Sequence, residues 1–425
     1  MTLGWQWRAL FERFDVVINA QGPPATAQAN RAYTLEFFRE VARVFEPGGV
    51  FAFRAAGGHT YVQEENRRLL GCLHRTAAEV FPAVIAFPGE PVQFLASNRA
   101  GGLTYRLDVL QARLDARGIA APYADATVWQ EQLVGGRLEE LQAILTEEPA
   151  PAVNRDLAPR CYYFEAQRWS ALQRTRLPGA RPAWLDLGRL LRWLDQRPAA
   201  APLAILGLLA AVSLAVPLVR RRGRDAALSF AVASSGLIEM AVEFVVLLGF
   251  QVAYGYVYHY LGVLVAAFMV GLTAGGWISS RWVTWGRATW RRLVWVQGGL
   301  CGYPLALLGF LVVATRTGLG ESPLVAALLF SGVATAAGLV GGLQFPLAAA
   351  QHSAGETSAG TLYGQDLFGA CLGALAVSSV LVPTFGLPTL CLMLSALAGI
   401  GWVALLLATT ISGVARGESR PSQRT

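Results

Sequence analysis

The sequence predicts a partial, doubly wound α/β domain followed by an all-α transmembrane bundle, and three observations lead there. Seven long apolar stretches succeed one another from about Ala201 to Val414. Ahead of them, buried-type strands alternate with amphipathic helices, the pattern of a sheet covered by helices. That alternation opens almost at once, on Phe14-Asp15-Val16-Val17-Ile18. The glycine-rich strand-to-helix turn that begins such a sheet is therefore missing.

Phe14–Ile18 reads as a fully buried strand, a short apolar run broken only by Asp15. Ala20–Asn30, rich in Gly, Pro and Gln, reads as a loop. Over Tyr33–Phe45, the residues Leu35, Phe38, Val41, Ala42 and Phe45 share one stripe, which predicts an amphipathic helix. Pro47-Gly48-Gly49 ends that helix, and Val50–Phe53 is the next strand. A helix around Gln63–Phe81 and two short β-like runs, Ala83–Phe87 and Val92–Ala96, complete the pattern. Strand, helix, strand, helix and a closing strand pair make the second half of a doubly wound sheet of the Rossmann, methyltransferase-like kind. Neither a GxGxxG turn nor a phosphate-binding P-loop is present, and Gly101-Gly102 follows the last β-like run rather than the first. An isolated half sheet exposes a long unpaired edge. Either the bundle covers it or another polypeptide completes the sheet.

The domain organisation that follows is a partial α/β domain over 1–100, a helical extension and linker over 101–200, the bundle over 201–415 and a polar tail over 416–425. Spans are expected near 201–219, 226–250, 256–280, 292–315, 322–350, 361–383 and 387–411. At about 1.5 Å per residue each covers, or nearly covers, the roughly 30 Å of hydrocarbon. Arg220, Arg221, Arg222 and Arg224, then Arg281, Arg287, Arg291 and Arg292, then Arg416, Arg420 and Arg424 mark one side. Basic short loops stay in the cytoplasm, so the C-terminus is expected there. An odd span count places the N-terminal domain outside, whereas Arg181, Arg189, Arg192 and Arg197 argue for keeping it in. Met1–Arg8 carries no basic segment followed by an apolar one that would act as a signal peptide. The first span, which contains Pro217, is alternatively interfacial or re-entrant, and the side of the soluble domain stays open.

Ionisable groups at membrane depth are expensive, so they are candidate functional residues. Glu239 and Glu243 lie four residues apart on one helical face of the second span. Asp366, with Gln365 and Tyr363, lies in the sixth, and Gln344 in the fifth. The bland reading of each is an interfacial position or a structural hydrogen bond between spans. His259, within Tyr254-Gly-Tyr-Val-Tyr-His-Tyr260, fits an interfacial aromatic belt better than a proton relay. Gly369 and Gly373, and the face made by Gly271, Ala274 and Gly275, are close-packing surfaces within the chain or between chains.

Composition narrows the function classes. The chain of 425 residues is 54% hydrophobic and only 15% charged, with most charges before Asp225. Its mean hydropathy of +0.41 excludes an ordinary soluble protein. All 35 basic residues are Arg, and the net charge of +7 could point to nucleic acid. These side chains are scattered or flank spans, so they read as topology signals and no nucleic-acid partner is expected. Cys72, Cys161, Cys301, Cys371 and Cys391 show no metal or disulfide spacing, and no metal site is expected. His59 and His74 fall in no acid–nucleophile pattern.

Phe14-Asp-Val-Val-Ile-Asn-Ala-Gln-Gly-Pro23, then Thr26–Phe38, then Pro47-Gly48-Gly49 together resemble the spermidine synthase (polyamine aminopropyltransferase) family. The closer likeness is to its bacterial membrane-fused branch, in which such a domain precedes a hydrophobic bundle. Val153–Phe164 is similar to the segment closing that branch's soluble domain. Glu243 with Phe250-Gln251, Tyr254-Gly255-Tyr256, Phe268–Gly271, Gly342–Pro346 and Asp366–Gly369 are similar to its bundle. The resemblance spans nearly the whole chain through the order of its motifs, although no single motif is decisive.

The resemblance implies a catalytic loop after the first strand, where acidic residues bind and deprotonate the attacking amine. At the matching positions this chain has Asn19 and Gly22, in the degenerate loop Asn19, Gln21, Gly22 and Pro23. An amide is no base, and glycine has no side chain. Asn at the first position is tolerated in the membrane branch; the loss at Gly22 is the greater departure. The site for decarboxylated S-adenosylmethionine belongs to the missing half, so that cosubstrate is expected only if an upstream segment is supplied, and otherwise no cofactor. Tyr33 and Gln21 either line a ligand pocket or serve the fold. The resemblance implies an integral protein of a bacterial inner membrane, related to aminopropyltransferases but catalytically incomplete as a single chain. The alternatives are an enzyme completed by the missing segment, or a transporter in which Glu239, Glu243 and Asp366 line a path for a cation such as a polyamine. The lipid bilayer is the expected partner, with oligomers through the Gly-rich helix faces as a further option.

Overall fold

The computed structural model describes residues 13–57, 64–119, 133, 136–146, 152–176, 200, 204, 206–207, 211, 223–254, 258–317, 323–352 and 356–417. They belong to two compact units, Met1–Arg192 and Trp193–Thr425. Most described residues are helical, and one small mixed sheet lies in the first unit.

That sheet has the strand order β1-β2-β4-β3, with β1 Phe14–Ile18, β2 Phe45–Ala55, β3 Ala83–Phe87 and β4 Val92–Ser97. β1 runs parallel to β2, while β4 lies antiparallel between β2 and β3. The parallel pair needs a crossover, supplied by α1 (Ala27–Asn30), a 3₁₀ turn (Arg31–Tyr33) and α2 (Leu35–Arg43). The stripe expected over Tyr33–Phe45 thus becomes a shorter helix. Thr34 caps it, its hydroxyl accepting from Phe37 N at 3.4 Å, and Leu35, Phe38 and Val41 are buried. α3 (Glu64–Ala78) buries Leu69, Leu70, Cys72, Leu73 and Ala77.

Two expectations are corrected. Pro47-Gly48-Gly49 does not stop a helix; it bulges inside β2. The register slips from Phe14↔Phe45 to Val16↔Val50, and Gly48 takes φ +90°. Asn98 clips the bulge, accepting from Gly48 N at 2.9 Å and donating to Glu46 O at 3.0 Å. β1 is also not buried on both faces. Val17 is covered, but Val16 and Ile18 point to the opposite face and are 56% and 70% exposed; β1 is also an edge strand, paired with β2 alone among the described residues. Phe38, Phe51, Phe53, Phe81 and Phe94 fill the core. Phe53 and Phe94 face each other across β2 and β4 with ring centroids 4.8 Å apart.

The extension adds α4 (Leu107–Ala116), α5 (Arg137–Leu145) and α6 (Arg160–Arg176). α6 packs along α3, and the segment between α5 and α6 is pinned by fully buried Asn154. The Asn154 amide donates to Tyr33 O at 2.9 Å and accepts from Cys161 N at 3.2 Å. Its own N–H donates to Thr76 Oγ1 at 3.0 Å. The segment that the resemblance assigned to domain closure therefore ties α2, α3 and α6 together.

The second unit comprises α7 (Gly223–Tyr254), α8 (Tyr258–Thr284), α9 (Trp290–Thr317), α10 (Pro323–Ala349), α11 (Glu356–Ala376), a π turn (Val377–Leu381) and α12 (Val382–Gly417). Five helical stretches among the described residues are long and apolar enough to cross a membrane, the last running over Ala359–Thr409. The chain is an integral membrane protein. The spans expected near 226–250, 256–280, 292–315 and 322–350 are α7 to α10. The span near 201–219 falls almost wholly outside the described residues.

Ala359–Thr409 has 51 residues, roughly 75 Å of helix and far more than one crossing needs. Gly386 breaks it with φ 75° and ψ 170°, a conformation closed to other residues. Gly369, before the break, lies against Ala233 and Leu237 of α7, and Gly401, after it, lies near Ser234 of the same turn. The chain therefore goes out and returns, and the spans expected near 361–383 and 387–411 are the two arms of a hairpin.

α7 is the central helix, with 61% of its apolar stretch buried against 22% for α8. The glycine faces explain how tightly its neighbours approach. A methyl group at Gly369 would meet Ala233 O at 2.0 Å; one at Gly271 or Gly275 would meet Thr335 O or Leu339 O of α10 at 2.0 or 2.3 Å. Both small-residue faces are thus occupied within the chain, and oligomerisation through them is not needed to explain them.

Candidate functional site

The loop after β1 is built by hydrogen bonds that use up its side chains. Asn19 is buried; its amide donates to Ala32 O at 2.9 Å and its Oδ1 accepts from Gln21 N at 3.0 Å. Tyr33 is fully buried, with its hydroxyl shared among the carbonyls of Gln21 (3.1 Å), Gly22 (3.0 Å) and Arg54 (3.4 Å). Burial pushes that phenol up to about 12, so it stays a donor at any working pH. Tyr33 is a clamp on the loop backbone rather than a wall open to a ligand. Gly22 and Pro23 are exposed, and no ionisable side chain stands in Asn19–Pro23.

Nearby, Thr34 Oγ1 donates to Asp156 Oδ1 at 2.6 Å, and Asp156 N donates to Glu36 Oε2 at 3.1 Å. Burial above all, with repulsion from Glu36 and Glu40, pushes the Asp156 carboxyl up to about 7 despite Arg31. His74 lies against α5, and burial lowers its pKa. Glu165 is fully buried and paired with Arg168 on the same face of α6, so its charge is satisfied structurally.

The membrane unit holds a different arrangement, around one turn of α7. Gly236 and Glu239 are three residues apart and face the same side. A methyl group at Gly236 would come within 2.2 Å of the Asp366 carbonyl oxygen and 2.7 Å of its Oδ1. One at Gly341 of α10 would come within 2.3 Å of the Glu239 carboxyl carbon and 2.6 Å of both its oxygens. Two glycines, on α7 and α10, thus make room for two carboxylates, from α11 and α7. Asp366 sits against Gly236 and Glu239 stands one turn further along the same side of α7, so both carboxylates face one stretch of that helix. Glu239 and Asp366 are partly buried, while Glu243, one turn further, is buried and its Oε2 has no hydrogen-bond partner.

A chain of amides crosses the same bundle. Gln344 of α10 donates to Ala231 O at 3.2 Å and to Gln297 Oε1 at 2.6 Å, and Gln297 donates to Ala398 O at 3.2 Å. This links α7, α10, α9 and α12. Gln344 Oε1 and Gln365 Oε1 are buried acceptors without a donor. Gln297 was not among the residues singled out from the sequence, although a lone Gln in Leu293-Val-Trp-Val-Gln297 carries the same signal as Gln344. Gly236 and Gly341 carried no signal at all, because their role exists only where another helix comes close. The structure therefore brings Glu239 and Asp366 together, sets Glu243 a turn away and places Gln344 one turn along α10 from Gly341.

No protein-family model matches the chain. Among the described residues no group of three or more His, Cys, Asp or Glu is arranged to hold a metal ion. His259 stands at the head of α8, and its side chain lies outside the described residues, as does His59.

Proposed function

We propose that this chain is a membrane-embedded, spermidine-synthase-like protein that takes an organic cation of the polyamine class at Glu239 and Asp366. Its soluble unit does not by itself transfer an aminopropyl group. The observation that carries the reading is the meeting of two carboxylates at membrane depth, each seated on a glycine of a neighbouring helix. Charged groups there cost several kcal/mol, roughly 2.5–3.5 each on insertion scales, unless a counter-charge compensates. An alkylammonium group is a cation and carries donors only. Glu243 Oε2, Gln344 Oε1 and Gln365 Oε1 are buried acceptors that need donors. In the soluble unit, Asn19 has both ends of its amide engaged and can accept no proton from an amine.

The test is binding and uptake of labelled spermidine by the full chain reconstituted in vesicles. Glu239→Gln keeps the shape and removes the charge. It is expected to lower affinity by roughly tenfold or more, the order for losing a charged hydrogen-bond partner. Equal binding by wild type and E239Q, or no saturable binding by wild type, overturns the reading.

A second reading rests on β1. Val16 and Ile18 are exposed on one face of an edge strand, and another polypeptide that extends this edge and covers that face would bury both. Spermidine formation from putrescine and decarboxylated S-adenosylmethionine only when such a polypeptide is co-expressed would favour it.

A further inference from the structure

One end of the bundle, where α7 and α9 begin and α8 finishes, carries a feature that the carboxylate site does not use. Five arginines stand there, Arg224, Arg281, Arg287, Arg291 and Arg292. Four lie over indole rings. Arg281 is 4.1 Å from the Trp277 ring and 5.8 Å from that of Trp285, and Arg287 is 5.6 Å from Trp285. Arg292 is 4.8 Å from Trp282, and Arg224 is 4.3 Å from Trp290. Among the described residues none of the five pairs with a carboxylate. Arg292 Nη1 is buried without an acceptor.

The local backbone sets this up. α8 ends on Gly286 at φ +65°, with Arg287 N donating to Trp282 O at 2.8 Å and Gly286 N to Val283 O at 3.0 Å. The closing turn throws Arg287 back beside Trp285, at a helix C-terminus whose dipole favours cations. A guanidinium stacked on a ring uses its flat face, which leaves its N–H edge free for the forked oxygens of a phosphate. The rings themselves are open: Trp277 is 59%, Trp285 58% and Trp295 69% exposed. Indoles at the ends of membrane-crossing helices sit at headgroup depth. A soluble anion would account for the arginines but not for the exposed rings on apolar helices; a lipid accounts for both.

We propose that this end of the bundle binds the phosphodiester headgroups of anionic glycerophospholipids, with Arg281 and Arg287, both beside Trp285, as the principal clamp. The test uses the purified full chain in nanodiscs of phosphatidylcholine, alone or doped with phosphatidylglycerol. Retained lipid is read by native mass spectrometry after mild delipidation. Wild type is expected to keep phosphatidylglycerol in preference to phosphatidylcholine and to melt at higher temperature with it. R281Q/R287Q is expected to lose that preference by roughly tenfold or more, at about fivefold per charge removed. R281K/R287K, which keeps the charges and loses the fork, is expected to fall between. Equal retention of the two lipids by wild type overturns the proposal and needs no variant to fold. So does inorganic phosphate matching the protection by phosphatidylglycerol, or an unchanged preference in a monodisperse R281Q/R287Q.

Discussion

At the scale of single residues, two glycines a position apart on α10 should behave oppositely. A methyl group at Gly342 would meet Leu272 O at 2.2 Å, a main-chain atom that moves only if α8 moves. At Gly341 the obstacle is the end of the flexible Glu239 side chain. Gly342→Ala is therefore expected to destabilise by about 1–3 kcal/mol through overpacking. Gly341→Ala should leave the melting temperature nearly unchanged while displacing the carboxylate and weakening cation binding. Thermal ramps read by size-exclusion chromatography, beside spermidine binding, separate the two effects. Equal destabilisation by both would mean that Glu239 is held rigidly.

Asp156 gives the pH prediction. Its carboxyl is raised from 3.8 to about 7 in the fold, so the folded state holds a proton that the unfolded chain has already released. Stability is unaffected by this group below about pH 4, declines as pH rises towards 7, and stays at the lower level above. Asp156→Asn keeps an acceptor for Thr34 Oγ1 and cannot ionise. It should melt a few degrees higher than wild type at pH 8 and at the same temperature at pH 4. A difference independent of pH would show that the carboxyl is not titrating with the fold.

At the scale of elements, the turn at Gly386 decides whether the last apolar stretch is one crossing or two. Its φ of 75° with ψ of 170° is open to glycine alone. Gly386→Ala is expected to cost about 1–3 kcal/mol and lower the yield of folded protein. Gly364→Ala, where a methyl group meets nothing within 4 Å, is the control and should be silent. The two arms were legible in the sequence as separate spans because Pro383 and Gly386-Leu-Pro388 interrupt the apolar run. The bulge in β2 was not legible in the same way. Pro47-Gly48-Gly49 reads as a stop by local rules, and only the partner strand and Asn98 make it a bulge.

At the scale of the whole molecule, the sequence by itself determined the division into a helix-and-sheet unit and a membrane bundle. Hydropathy and periodicity are local properties, and burial of apolar side chains follows them. It also identified Glu239, Glu243, Gln344 and Asp366, since a polar group in an apolar run is conspicuous wherever its partners lie. Tertiary structure alone decided which of these meet. The carboxylates of Glu239 and Asp366 meet on one stretch of α7 because Gly236 lets the α11 backbone close in and Gly341 of α10 leaves room for the Glu239 side chain. It also turned Tyr33 from a candidate pocket residue into a clamp, by placing three carbonyls around its hydroxyl. β1 reads as a buried strand from its residues, yet Val16 and Ile18 face outward because burial depends on what is packed opposite a side chain.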